Sequence, residues 1–373
     1  MTTPRVDVDL SKIRFNTGVI VRRLKQRGVS VTGVTKAFCG HPAIAQAMLD
    51  GGASGLADSR MSNVRRLRAA GMTGAITLIR TPILSQAKQV VQHCEESLNT
   101  EVAVITALAA AAVQLKRVHG VILMLEMGDG REGVSPTTLA NIARQITNMS
   151  GVTLSGIGAN FACLSDAGPT NAQMAALSRL ATEIENVCGK PLKIVSGGNS
   201  SNLQWALNVP AAGRVNNLRV GEAILLGVDP VTGNQIRGMH TDAFTLVAEV
   251  IEAETKSVAP VVALVDPAIA ILRLVPKQRD TTRLILALGK QDTDIEGLIM
   301  PFAHDLIGAT SDHLVIGTES AAFEVGSEVK FQMNYSALMH AMAAPDVETA
   351  LIHESPSTYS RHAQRSHAHL ALH

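Results

Sequence analysis

The sequence predicts an α/β chain: a (β/α)8 barrel of the TIM type, followed by a smaller antiparallel β domain. Three observations predict it. Short apolar runs alternate with helix-period stretches about eight times before Pro230. Hydrophobic residues make up 46% of the chain but aromatics only 3%, so Ala, Val, Leu and Ile carry the bulk, which suits buried parallel strands under Ala-rich helices. After Pro230 the helical rhythm stops, and strand-like runs follow one another between turn residues.

Strands are expected at residues 6–10, 29–35, 54–57, 75–79, 101–105, 121–126, 154–159, 192–196 and 216–220. Between them, amphipathic stretches predict helices at 11–27, opened by Ser11 as N-cap and closed by Gly28, and at 41–50, 59–70, 85–93, 135–149, 171–187 and 200–207. Strand then helix with short links means a parallel sheet. A length near 230 residues with no topological pause favours closure over an open doubly wound sheet. Beyond it, strands are expected at 243–253, 261–265, 283–288, 313–316 and 329–333, with one late helix at 336–343. The expected domains are therefore a barrel over 1–232, a β-rich domain over 233–358, and a flexible His-containing tail over 359–373.

Composition excludes several classes of function. The formal net charge is +1 with Lys and Arg scattered, unlike the basic footprint of a nucleic-acid binder. Charges interrupt every apolar stretch before it could span a bilayer, and no secretory leader is recognisable at the N-terminus. Four separate cysteines without a CxxC pair argue against a disulfide framework or zinc site. The expectation is a cytoplasmic protein acting on a small molecule, with no membrane, nucleic-acid or metal partner.

In such a barrel, functional groups stand at the C-terminal ends of the strands. The polar residues that follow the apolar runs are Lys36, Arg131 in EMGDGREG, Asn160 in GANFA, Asn199 and Ser200 in SGGNSS, and Arg219, Gly221 and Glu222 in LRVGEA. Cations and amide or hydroxyl donors gathered on one rim suit an anionic ligand. Lys36, hemmed by Val34, Ala37 and Phe38, is a candidate nucleophilic amine, because desolvation disfavours the ammonium form. Spacing alone favours an ordinary loop lysine paired with a carboxylate. The glycine turns of SGGNSS and RVGEA can bring backbone N–H groups close to a phosphate, though glycines after strands are often merely turns.

Taken in order, GVTKAFCGHP, ADSR, EMGDGREG, GANFACL, SGGNSS, NLRVGEAILLG, ALGKQDTD, GATSDHL and NYSALMHAM make the chain resemble the alanine racemase-like, fold-type III pyridoxal-phosphate enzymes, in the alanine/ornithine racemase branch. The resemblance implies an amino-acid racemase with pyridoxal 5'-phosphate bound covalently at Lys36, which also serves as acid/base on one face of the substrate. It implies Arg131 near the substrate carboxylate, Asn160 beneath the ring, and Ser200, Gly221, Asn199 and the Glu222 backbone about the phosphate. It implies Arg219 on the pyridine nitrogen and Tyr335 reaching the phosphate from the C-terminal domain. It further implies a head-to-tail homodimer with shared sites.

Departures are informative. Where the family carries a second catalytic tyrosine, this chain has Lys290 in Gly289-Lys290-Gln291-Asp292. Lys290 is then the candidate second acid/base, with Asp292, Asp312 and His313 as alternatives; Asp312 is also placed beside Arg131 among the substrate-binding residues. Gly40 replaces a phosphate-approaching tyrosine, and Met124 replaces a lysine that is carbamylated in some relatives, which leaves Glu126 or Asp129 to steady Arg131. Ornithine, lysine, alanine and serine are candidate substrates, and Glu132, Asp292 and Asp294 are the acids available to a basic side chain. A fold-type III decarboxylase, a non-catalytic pyridoxal-phosphate homeostasis protein and a Schiff-base aldolase are the competing readings. The absence of cysteine after Cys188, the 140 or so residues beyond the barrel, and the two glycine turns respectively count against them.

Overall fold

A computed structural model describes residues 2–164, 167–255, 282–301, 304–318 and 323–352. The expected strand at 261–265 and tail at 359–373 lie outside these residues.

Eight parallel strands close the barrel: β2 (Ser30–Val34), β3 (Gly55–Asp58), β4 (Ile76–Leu78), β5 (Glu96–Asn99), β6 (His119–Leu125), β7 (Val152–Ala159), β8 (Ile194–Ser196) and β9 (Asn217–Val220). Pairing of β9 with β2, from Ser30↔Asn217 to Gly33↔Val220, completes the ring. Each strand leads into a helix: α2 (Pro42–Asp50), α3 (Met61–Ala69), α4 (Ala87–His93), α5 (Val102–Gln114), α6 (Pro136–Thr147), α7 (Asn171–Cys188), α8 (Leu203–Asn208) and α9 (Glu222–Leu226), with α1 (Leu10–Lys25) preceding β2. β6 is buried along its whole length. Its Ile122 and Met124 pack with Leu98, Ile79 and Ile194 in a small cluster of their own, a filled barrel interior rather than a pore.

The second sheet runs in the order β12 (Leu298–Ile299), β15 (Glu328–Met333), β10 (Phe244–Thr255), β11 (Thr282–Leu286), β14 (Leu314–Thr318), β13 (His304–Ala309), all antiparallel. Two further strands join it. β1 (Arg5–Asp9) pairs antiparallel with β10 and parallel with β16 (Glu348–Ile352). Helix α10 (Tyr335–Ala341) follows β15 and packs against the turn that carries Lys36.

Four expectations need correction. The strand expected at 6–10 belongs to the second sheet, not the barrel. Val6 and Val8 are fully buried, while Arg5 and Asp7 between them pair with each other and Arg5 with Glu328 of β15. That period-2 alternation is the mark of a sheet with one polar face, not of a barrel strand buried on both. The strand expected at 101–105 is the first turn of α5, and the barrel strand is Glu96–Asn99 instead. The N-cap of α1 is Asp9 rather than Ser11: its carboxylate accepts from the N–H groups of Ser11 and Lys12 at 3.0 and 3.1 Å. The helix expected over 200–207 is split into a 3-10 turn, Ser200–Asn202, and α8. Strands β12, β13 and β16 had no sequence expectation.

Candidate active site

At the C-terminal ends of the barrel strands lies one cavity of about 690 Å3. It is lined by Lys36, Arg131, Asn160, Asn199, Ser200, Arg219, Gly221, Glu222 and Tyr335, so nine of the eleven residues singled out from sequence converge on it.

Lys36 leaves β2 in a 3-10 turn, Lys36–Phe38, anchored by the fully buried Phe38 and Ala37. The residue before it is latched from below. Thr35 Oγ1 donates to Asp58 Oδ2 at 2.5 Å, and Asp58 also accepts from Asn63 Nδ2 at 3.1 Å and from the Arg60 N–H at 2.8 Å. Asp58 is completely buried, and burial holds its carboxyl above the usual carboxylate range despite these donors. The β2 and β3 ends are thus tied together directly behind the amine. Lys36 Nζ stands 5.8 Å from the Tyr335 ring centroid, within cation–π range. Burial first, then the nearby Glu222 and Asp58 charges, push the Tyr335 phenol well up, so it is a neutral donor at physiological pH.

Arg219 forms the floor. Its guanidinium donates to Ser196 Oγ, to the Ala159 carbonyl at 2.9 Å and to Asn160 Oδ1 at 2.7 Å. Burial lowers its pKa to about 10, which still leaves it a cation at neutral pH. Asn160 passes the contact outward: its Nδ2 donates to Glu132 Oε1 at 2.8 Å. Glu132 in turn holds Arg131, whose Nη2 donates to Oε1 at 2.9 Å, with Asp129 Oδ2 3.5 Å from Arg131 Nε. Glu126, an expected partner of Arg131, instead accepts from the Gly128 and Gly130 N–H groups at 2.6 and 3.1 Å and shapes the loop. Gln173, at the start of α7, pins the same loop by donating to the Met127 carbonyl at 2.7 Å.

Beside Lys36's strand, where β9 pairs with β2, the two glycine turns meet. Ser200 Oγ accepts from the N–H groups of Gly221 and Ala223, each at 3.3 Å. Gly221 is packed on Val34, where a Cβ would stand 3.0 Å from the valine's own. Gly198 has φ +128°, and a Cβ there would meet Asn202 Oδ1 at 2.1 Å, so only glycine fits this turn. The Asn199 amide is turned into the protein: Oδ1 accepts from the Ser201 N–H at 2.8 Å, and Nδ2 donates to the Phe161 carbonyl at 2.9 Å. Its visible work is to hold the loop. Glu222 lies near Lys36, and burial raises its carboxyl above the usual range while the lysine opposes.

Among the lining residues that the sequence reading did not single out, Arg80 and Cys163 carry the most reactive groups. Arg80 directly follows an apolar strand run, so the strand-end rule that picked Lys36 also points to it. Cys163 lies 3.2 Å from Asn199 Nδ2; burial raises its thiol pKa, with Arg131 opposing. Lys290 and Asp312 do not line this cavity. They sit together on loops of the second domain, where the Lys290 N–H donates to the Thr310 carbonyl at 2.9 Å and Asp312 Oδ1 accepts from Gln291 at 3.2 Å. Asp292 caps its own turn by accepting the Gly289 N–H at 2.7 Å. Met124, the other departure, is part of the barrel interior. Among the described residues no group of His, Cys, Asp or Glu is placed to hold a metal ion, and no helix is long and apolar enough to cross a membrane.

Comparison with known proteins agrees with this geometry. The model of the alanine racemase N-terminal domain matches residues 8–230. An ornithine racemase of Acetoanaerobium sticklandii is 31% identical over 354 residues, covering 94% of this chain and 99% of that protein. A lysine racemase of Thermotoga maritima is 32% identical over 361 residues, covering 93% and 98%. Among solved structures, an alanine racemase of Clostridium difficile 630 superimposes with a TM-score of 0.75 at 16% identity, over 94% of this chain and 96% of that one. At that identity the likeness speaks for the fold alone, and the same fold recurs in a D-threonine aldolase of Filomicrobium marinum, with a TM-score of 0.71 at 14% identity, covering 91% and 88%. By the family model over residues 8–230 and by its likeness to the ornithine and lysine racemases over more than nine-tenths of its length, the chain belongs to the alanine racemase family.

Proposed function

We propose that this protein is a pyridoxal 5'-phosphate-dependent amino-acid racemase whose cofactor is held by Lys36. The observation that supports it best is the convergence, in one cavity, of a lysine amine, a fully buried guanidinium and a small-residue cradle of hydroxyl and N–H donors. These residues fit the cofactor's chemistry: an amine for its aldehyde, Ser200 with the Gly221 and Glu222 backbone for its phosphate, and Arg219 for its ring nitrogen. Tyr335, lining the same cavity beside Lys36, adds a neutral phenol donor.

When bound, the cofactor supplies an aldehyde for the substrate amine and a ring that draws charge from the Cα–H bond. The chain's own residues do the rest. Lys36 Nζ takes or returns the Cα proton on its face. Arg131 holds the α-carboxylate by a charge-assisted contact. Arg219 would hold the ring nitrogen by donating a hydrogen bond without giving up its proton.

The opposite face needs a second proton carrier. Lys290 and Asp312 lie away from their own cavity, so in this reading they act from a second, head-to-tail copy of the chain, Lys290 as acid/base and Asp312 at the substrate. The relatives are racemases of ornithine and lysine, and Glu132 and Glu222 are the cavity carboxylates that suit a cationic side chain. Ornithine and lysine therefore stand ahead of alanine and serine. A cytoplasmic location completes the reading.

Chiral chromatography of the purified protein with each L-amino acid is the test. Racemisation of ornithine or lysine is expected, with a near-visible absorption band; Lys36→Ala loses both. Mixing Lys36→Ala and Lys290→Ala chains restores activity if sites are shared. Release of carbon dioxide without racemisation, or wild-type activity in Lys36→Ala, overturns the reading.

A further inference from the structure

An annex of about 200 Å3 adjoins the main cavity and shares Ser59, Arg80 and Thr81 with it. Three arginines line it: Arg60 and Arg65 at the start of α3, and Arg80 after β4. No Asp or Glu does. Other arginines of α3 are engaged: Arg66 donates to the Cys39 carbonyl at 2.9 Å, and Arg68 pairs with Glu95 at 2.7 Å. Among the described residues, the side chains of Arg60, Arg65 and Arg80 have no hydrogen bond or ion pair.

The backbone adds to the same field. The N-cap position of α3 is Arg60, whose side chain caps nothing, and Asp58 accepts the Arg60 N–H. Met61 and Ser62, which line the annex, follow with N–H groups that the helix itself cannot satisfy. Three guanidiniums, a helix start and the Ser59 and Ser62 hydroxyls therefore face one small cleft. Like charges held together repel, and a negative group placed between them relieves that repulsion and gains charge-assisted hydrogen bonds.

We propose that the annex is a binding subsite for a small oxyanion, either a carboxylate or a phosphate, beside the main cavity. Its occupant is separate from any group held in the Ser200–Gly221 cradle. The inference is independent of the racemase reading, since binding is measured without turnover. It also bears on substrate placement: a cationic side chain is repelled from this side and must lie toward Glu132 and Glu222, whereas a ligand with a distal carboxylate is drawn into the annex.

Isothermal titration calorimetry on the protein as purified, its cofactor included, tests this with inorganic phosphate and with glutarate. Saturable binding of at least one is expected. It should weaken roughly fivefold to tenfold in Arg65→Gln and in Arg80→Gln, as for loss of one charge-assisted contact at a solvent-accessible site. Ser200→Ala should leave it unchanged. Arg65 lines only the annex and is exposed, so Arg65→Gln should keep the wild-type melting temperature. Tighter phosphate binding identifies free phosphate as the source, and tighter glutarate binding identifies a ligand's side-chain carboxylate. Absence of binding by both anions overturns the proposal. So does binding that survives in both arginine variants but falls in Ser200→Ala.

Discussion

His119 makes a quantitative test of how the barrel is held together. It opens β6, is 1% exposed, and its Nε2 lies 2.8 Å from Ser97 Oγ on β5. Asn99 Nδ2 donates to that same hydroxyl at 2.9 Å, so the hydroxyl's own hydrogen is free to go to Nε2, which must then be unprotonated. Burial lowers the imidazole pKa from 6.5 to about 4, with the nearby Cys94 carbonyl opposing only in part. The sign follows directly. The folded state keeps the ring neutral while the unfolded state takes up a proton below its ordinary pKa, so stability is full above pH 6.5 and lost as pH falls toward 4. At 1.36 kcal/mol per pKa unit, the loss is about 2 kcal/mol by pH 5 and about 3 kcal/mol by pH 4. Urea unfolding of wild type and His119→Gln at pH 8 and pH 5 reads the effect, because other groups contribute equally to both proteins. The variant should be less stable at pH 8, and the gap should close by about 2 kcal/mol at pH 5. An unchanged gap refutes the burial account of this histidine.

Asp58→Ala strands the Asn63 amide in a dry site and leaves the Thr35 hydroxyl only the Ala57 carbonyl at 3.2 Å, which should lower stability by about 2 kcal/mol in chemical denaturation and reduce kcat more than it raises KM, because the Lys36 turn loses its latch. Gly198→Ala forces a Cβ onto Asn202 at positive φ; loss of folded protein, or a melting temperature lowered by several degrees, is expected in differential scanning calorimetry. Asn160→Asp puts a carboxylate oxygen where the amide now donates to Glu132 at 2.8 Å, so one of the two acids must bind a proton. The variant should gain a new acidic-to-neutral dependence of KM on pH that wild type lacks.

The elements read correctly from sequence are those whose apolar pattern matches their burial, such as β6 and α7. The errors have physical causes. β5 reads Glu-Ser-Leu-Asn and looks like a loop because Ser97 and Asn99 spend their polarity inside the protein, on each other and on His119. The neighbouring Val-Ala-Val-Ile looks like a strand because β-branched residues favour strands, yet it opens an Ala-rich helix buried on one side. β1 was legible as a strand but not as a partner of β10, since pairing across more than 230 residues leaves no local trace. For the cavity, strand-end polarity located the main residues. The use each makes of its hydrogen bonds was not legible: the Asn199 amide, which lines the cavity, spends its hydrogen bonds on its own loop and on the Phe161 carbonyl. The annex was invisible because Arg60 and Arg65 read as an ordinary solvated helix face, and only the fold brings Arg80 beside them.

The internal hydrogen bonds of the cavity also explain why its parts belong together. Arg219 reaches from β9 to Ser196 on β8 and to Ala159 and Asn160 at the end of β7, so one guanidinium fixes the spacing of three adjacent strand ends. Asn160 then presents an acceptor to that cation and a donor to Glu132, and Glu132 aims Arg131. An amide is suited to this place because it offers both polarities while adding no charge between two cations and a carboxylate. Asp129, buried and held by the Cys163 and Leu164 N–H groups, supplies the second negative charge near Arg131. Two cations and two carboxylates thus balance between floor and rim, and a carboxylate ligand arriving at Arg131 must share it with Glu132. The position of the outer arginine is therefore set by the buried one: a change at the floor, far from any substrate carboxylate, should be felt first as altered carboxylate binding at the rim.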